Sequence, residues 1–218
     1  MLGLRAMRER RMVLNSSNTL AKRFINKQVI LYSVIVTPIL VILHELIHYS
    51  FFTVIGLKAY LVSFSFTGII GFDYTFPSIK NALLYYNTNH VSFSLAALAG
   101  PLFTYLISAI CLLLYKKYNN ALFWACSFNP LSVRTVAIII MIPQVFLSGK
   151  PIDEAVFSYF TNIPLLFVVI ISLLTSIVLI IIAIKILSKQ NRIPYIISSF
   201  FFGTISWQII EIIVNKLG

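Results

Sequence analysis

Residues 29–55 read VILYSVIVTPILVILHELIHYSFFTVI. The run exceeds the roughly 18–20 apolar residues that cross a bilayer. It would be an ordinary membrane-spanning helix without His44, Glu45 and His48. On a helix His44 and His48 lie about one turn apart on the same face. Two ring nitrogens at that spacing meet one tetrahedral metal ion, and Glu45 lies beside them, placed to take a proton from a water at the metal. Imidazoles and a carboxylate in an apolar helix are unfavourable unless something binds them, and a metal accounts for all three.

Outward from this stretch, composition sets the class. The chain has 218 residues, 59% of them hydrophobic and 11% charged, with a mean hydropathy of +0.94. Soluble domains carry about twice that charged fraction. The reading is an all-α polytopic membrane protein with about five transmembrane helices. It divides into a basic cytoplasmic N-terminal segment, 1–28, and one membrane-embedded domain, 29–218. The expected location is the cell membrane, as a multi-pass protein. The first 28 residues are too polar for a cleavable signal peptide, and the first apolar run is too long.

The formal net charge is +11. The basic residues cluster at the ends of apolar runs, which points to topology and anionic lipid rather than to nucleic acid. Seven precede the first span, and part of that segment reads as an amphipathic surface helix. Cys111 and Cys126 fall in apolar runs with no CxxC or Cys/His cluster, and read as small buried hydrophobes.

Further spans are expected near Val91–Tyr115, Ala121–Leu147, Ile163–Leu187 and Ile193–Val214. Between the first two, Ser63, Ser65 and Thr67 alternate with Phe64 and Phe66. That period of two predicts a short β-hairpin or re-entrant loop at the membrane face, covered by protein or lining a wet cavity. The second span contains Ala99-Gly100-Pro101, small residues that permit close helix approach. In the third, Asn129-Pro130 is expected to break the helix. Arg134 lies there at membrane depth, either paired with an acid or in one of two shorter pieces. Residues 148–162 read as a polar connection. The fourth span looks purely lipid-facing. In the fifth, Thr204, Gln208, Glu211 and Asn215 recur at helical spacing, a polar stripe expected to face the bundle.

Counting Lys and Arg with the N-terminus inside gives twelve on the inner side and four on the outer. This favours five spans with the N-terminus inside. His44 and His48, Ala99-Gly100-Pro101 and Asp153 then fall at one depth, nearer the outer face.

A hydrolytic zinc site needs three protein ligands and one open position. The candidates for the third are Asp153, Glu154, Asp73, His90 and Glu211. Position after the third span favours Asp153; His90, just before the second span, reads as an interfacial residue. Glu45 is the general base, taking a proton from water and returning it to the leaving amine.

The chain resembles the site-2 protease class of intramembrane zinc metalloproteases. His44-Glu45-Leu46-Ile47-His48 matches that family's HExxH in a spanning helix. Ala97-Leu98-Ala99-Gly100-Pro101-Leu102 looks like its Ala-Gly-Pro helix. Asn129-Pro130 and Asp153 stand for its Asn/Pro segment and aspartate ligand, and residues 60–76 resemble its re-entrant β element. The family usually keeps Asn, Pro and an Asp-Gly pair close together and is reached from the cytosolic side. Here Asp153 follows Asn129 by 24 residues, precedes Glu154 and faces outward by the charge count.

The resemblance implies Zn²⁺ held by His44, His48 and Asp153, and a membrane protein or peptide as substrate. The substrate backbone would be extended, paired along a strand edge of the hairpin. The competing readings are a different membrane zincin and a non-proteolytic metal transporter or scaffold. Retention of Glu45 speaks against a scaffold, and the lack of internal repeats against a transporter.

Overall fold

A computed structural model describes residues 25–63, 66–73, 75–148 and 152–217. The expectations for the basic N-terminal segment, apart from its last residues, lie outside the described residues. Helix α1 spans Lys27–Val54 and is followed by strands β1, Ala59–Ser63, and β2, Phe66–Ile69. Then come α2, Phe76–Tyr85; α3, His90–Tyr118; α4, Ala121–Ser148; α5, Asp153–Thr161; α6, Leu165–Ile186; and α7, Arg192–Leu217.

The ends of these helices follow from local chemistry. The Asn26 side chain accepts the Val29 N–H at 3.0 Å and caps α1. Asn89 does the same for α3 through Val91, at 2.7 Å. Asn119 and Asn162 end α3 and α5 in the left-handed region, at φ 49° and 58°, where asparagine is among the better tolerated residues.

Four described helices are long and apolar enough to cross a membrane: α1, α3, the Ala121–Pro143 part of α4, and α6. Contacts fix their relative directions. Val29 at the start of α1 shares an apolar cluster with Leu112 and Tyr115 late in α3, with Ala121 and Trp124 early in α4, and with Ala183 late in α6. Phe52 near the end of α1 packs with Phe93 and Ala96 early in α3. Thus α1 and α4 run one way, and α3 and α6 the other. Helix α7 runs parallel to α1, since Ser198 meets Asn26 and Ser206 meets Val34.

Pro38 lies inside α1 and has no N–H to give the Val34 carbonyl four residues back. Ser206 of α7 supplies the missing donor, its hydroxyl reaching Val34 O at 2.8 Å. In hydrocarbon such a carbonyl has no water to fall back on. Beside this contact, Gly203 brings α7 close to Asn129 and Thr37, which bond to each other through Asn129 Nδ2 and Thr37 Oγ1 at 3.1 Å.

The hairpin is antiparallel, pairing Ala59 with Ile69, Tyr60 with Gly68, Leu61 with Thr67 and Ser63 with Phe66, with an irregularity between Leu61 and Ser63. Its Thr67 and Ile69 are buried, so one face is covered by protein.

Four expectations are corrected. Helix α4 continues through Pro130 and Pro143 instead of breaking at Asn129-Pro130. Asn129 is fully buried between helices, where tertiary packing outweighs the local cost of proline. Residues 148–162 are not simply a connection, because α5 occupies most of them with Asp153 and Glu154 in its first turn. Carboxylates there complement the helix dipole. The polar residues that α7 turns to the bundle are Ser198, Ser199 and Ser206, all buried, while Gln208 is exposed. The side chains of Glu211 and Asn215 lie outside the described ones. Small residues win that face because they admit close helix approach. Helix α6, expected to be purely lipid-facing, also buries Ser172 and Ser176.

A Cβ at Gly203 would lie 3.3 Å from both Asn129 Cγ and Thr37 Oγ1. Gly203→Val is therefore expected to destabilise the bundle by about 1–3 kcal/mol through overpacking. Thermal unfolding of the detergent-solubilised protein checks this, and a midpoint equal to wild type would contradict it.

Candidate metal centre

Along α1 and α3 the functional side chains fall between the two apolar clusters. His44 and His48 project from α1 towards α3, and each ring is held by its Nδ1. His48 Nδ1 lies 3.1 Å from the Ala96 carbonyl oxygen, which can only accept. That nitrogen therefore carries the hydrogen, and Nε2 is left bare. His44 Nδ1 lies 2.9 Å from Thr104 Oγ1, whose own hydrogen goes to the Gly100 carbonyl at 3.1 Å. The Thr104 oxygen thus accepts from His44, and His44 Nε2 is bare as well.

The two Nε2 atoms face each other at 3.2 Å. Two lone pairs at that distance repel unless a cation lies between them. Asp153 completes the group, with Oδ2 3.4 Å from His44 Nε2 and Oδ1 3.4 Å from His48 Nε2. Among the described residues, these three form the group of His, Cys, Asp or Glu close enough to share one ion.

The donor set fits zinc. Zinc–ligand distances of about 2.0–2.1 Å place tetrahedral ligands roughly 3.3–3.4 Å apart; the two Nε2 atoms stand close to that separation, and Asp153 sets a different carboxylate oxygen 3.4 Å from each. Two imidazoles and one carboxylate leave a fourth position open, as catalytic zinc requires. The Ala96 carbonyl and Thr104 are the kind of outer partners that fix ligand tautomers. Charge agrees: Asp153 and Glu154 pair with Arg134, and Glu45 lines the same cavity, so three carboxylates stand against one guanidinium there and a divalent cation would balance the excess.

Close approach of α3 makes the arrangement possible. A Cβ built on Gly100 would lie 2.6 Å from His44 Nε2 and closer still to His48 Nε2. Only glycine leaves that space.

Glu45 is buried on the hairpin side. The Thr67 hydroxyl lies 2.9 Å from Glu45 Oε2 and 3.0 Å from Glu45 O, so β2 anchors the carboxylate. Glu45, the histidines and Asp153 line one cavity of about 190 Å³, with apolar walls that include Leu40, Val133, Ile138 and Met141.

The other third-ligand candidates go elsewhere. Glu154 turns to Arg134 and Ser172. Asp73 is exposed beyond the hairpin. His90 opens α3 and stacks on Phe160, ring centroids 5.3 Å apart. The Glu211 side chain lies outside the described ones. Arg134 pairs with acids, as one of its two readings anticipated.

Sequence reading did not single out Thr67 as the partner of Glu45, nor Thr104 as that of His44. Thr104 had a signal: Ala96, Gly100, Thr104 and Ser108 recur every four residues, a small and polar face on an apolar helix. Thr67 had none beyond its place in the alternating stretch.

No family model matches the chain, and no curated protein or solved structure is significantly similar to it.

Gly100→Ala is expected to push the imidazoles apart and reduce bound metal well below one ion per chain. Elemental analysis of the purified protein measures this, and a full complement in the variant would refute the close-approach argument.

Proposed function

We propose that this protein is a multi-pass membrane zinc endopeptidase of the site-2 protease kind, cleaving peptide bonds in or next to membrane-spanning segments. The carrying observation is the pair of bare Nε2 atoms facing each other beside Asp153, with Glu45 anchored next to them in an apolar-walled cavity. Five spans with the N-terminus inside fit the alternating helix directions, α7 being the fifth. The expected setting is the cell membrane.

A zinc ion held by His44, His48 and Asp153 would polarise a carbonyl and acidify the attacking water. The chain's own groups do the rest. Glu45 accepts the proton from that water and passes it to the departing amine nitrogen. Thr67 keeps Oε2 of Glu45 oriented for both transfers. Ala96 and Thr104 hold the imidazoles in the tautomer that leaves Nε2 free. The hairpin offers an outer strand edge to which an extended peptide can add, and a substrate helix must unwind to present such a backbone. The apolar walls suit the side chains of a membrane segment and limit water to what the reaction uses.

A metal carrier or scaffold needs the three ligands but has no use for a carboxylate fixed by a dedicated hydroxyl. That favours the catalytic reading over the binding one.

Glu45→Gln is expected to retain zinc and lose about 10²–10⁴-fold in cleavage of a membrane-segment reporter in proteoliposomes. Asp153→Ala is expected to lose zinc and activity together. Undiminished cleavage by Glu45→Gln would end the proposal.

A further inference from the structure

We infer that Arg134 is a positioning residue that locks the Asp153 carboxylate in place as a metal ligand, with Glu154 as its counter-anchor. This rests on the metal-site reading above. Both histidines stand on a long helix, but Asp153 opens the nine-residue α5, outside the spanning helices. Its side chain is 23% exposed, against 5% for His48. The ligand least fixed by its own element therefore needs an outside restraint.

Arg134 supplies one from α4. Its side chain is 10% exposed, and its three nitrogens are all engaged. Nη1 lies 3.6 Å from Asp153 Oδ2, Nη2 pairs with Glu154 Oε1, and Nε donates to the Tyr105 hydroxyl at 3.3 Å. The guanidinium also sits over the Tyr105 ring, 5.7 Å from its centroid. The anchors are themselves held. Ser172 donates to Glu154 Oε1 at 2.7 Å, and Tyr105 donates to the Ser172 carbonyl at 3.0 Å.

The network thus joins α3, α4, α5 and α6 and ends on one oxygen of the proposed ligand. The planar guanidinium turns one nitrogen to each of two neighbouring carboxylates, hydrogen-bonded to Glu154 and ion-paired with Asp153, a division that a single ammonium does not reproduce. If Arg134 served only to neutralise Glu154, its Nη1 would have no reason to face the metal group.

The test uses the full chain in detergent. Zinc affinity is measured by chelator competition, Co²⁺ substitution gives a visible ligand-field spectrum, and the thermal midpoint is taken without metal. The variants are Arg134→Lys, the charge-neutral pair Arg134→Gln with Glu154→Gln, Asp153→Ala, and Arg134→Lys combined with Asp153→Ala. Arg134→Lys and the neutral pair are expected to bind zinc 10–100-fold more weakly and to change the Co²⁺ bands, with metal-free midpoints near wild type. Should the lysine variant not fold, the neutral pair carries the test. On the Asp153→Ala background, where only the weak residual binding by the two histidines is left to titrate at raised zinc, Arg134→Lys is expected to cost nothing further. Wild-type affinity and spectrum in the single and paired variants would overturn the inference. So would an equal loss with Asp153 already removed, since Arg134 would then act on the bundle as a whole. If Asp153→Ala binds zinc as wild type does, the metal-site reading itself fails, a result distinct from both.

Discussion

Two imidazole nitrogens, each stripped of its proton by the hydrogen bond on the opposite side of its ring, point at one another across 3.2 Å. The rest of the molecule is arranged around that contact. It is repulsive alone and costly in an apolar bundle, so the surroundings must supply positive charge or a reason to keep the rings there. Ala96 and Thr104 fix the tautomers, Gly100 admits the rings, and Asp153 closes the third side. Ala96 acts through a helix carbonyl, Thr104 through its hydroxyl, Gly100 through a missing side chain, and Asp153 from the first turn of a short helix.

The polar groups are partitioned accordingly. The apolar clusters at the two ends of the bundle hold the helices together, and the charged residues of the site lie between them. Arg134, Glu154, Tyr105 and Ser172 are joined by hydrogen bonds, and such pairing is the condition under which buried polar groups are tolerated. Glu45 stands apart from that set, held by the hairpin through Thr67. The proposed ligand carboxylate and the proposed base thus answer to different elements. Asp153 is tied to α4 through Arg134, and Glu45 to β2 through Thr67.

Much of this was legible in the sequence. The HExxH spacing within an apolar run named three of the central residues, because helical periodicity alone decides their relation. The alternation at 63–67 foretold the hairpin, and the charge at Arg134 announced a partner. Other features were not legible because they depend on tertiary contact. Nothing local says that Thr67 will reach Glu45, or that α4 will run unbroken through Pro130. The short helix α5 was hidden by its polarity and its position after a proline. On α7 the counted stripe of larger polar residues was misleading, because close packing selects serine and glycine over glutamine. Asp153 was favoured for its place in the chain, and the geometry that distinguishes it from Glu154 arises only when adjacent residues of one helical turn point in different directions.

The bond from Ser206 to the Val34 carbonyl bears on how small the protein can be. Pro38 leaves a gap in the backbone ladder of α1 just before the motif, and the donor that fills it comes from α7, 172 residues further on. Peeling α7 away would leave that carbonyl in hydrocarbon with nothing to bond. The motif helix is therefore not self-sufficient, and a fragment ending after α6 would carry every ligand yet lack the brace for the helix that bears two of them. In this chain the last helix is part of the site's foundation, though none of the three proposed ligands stands on it.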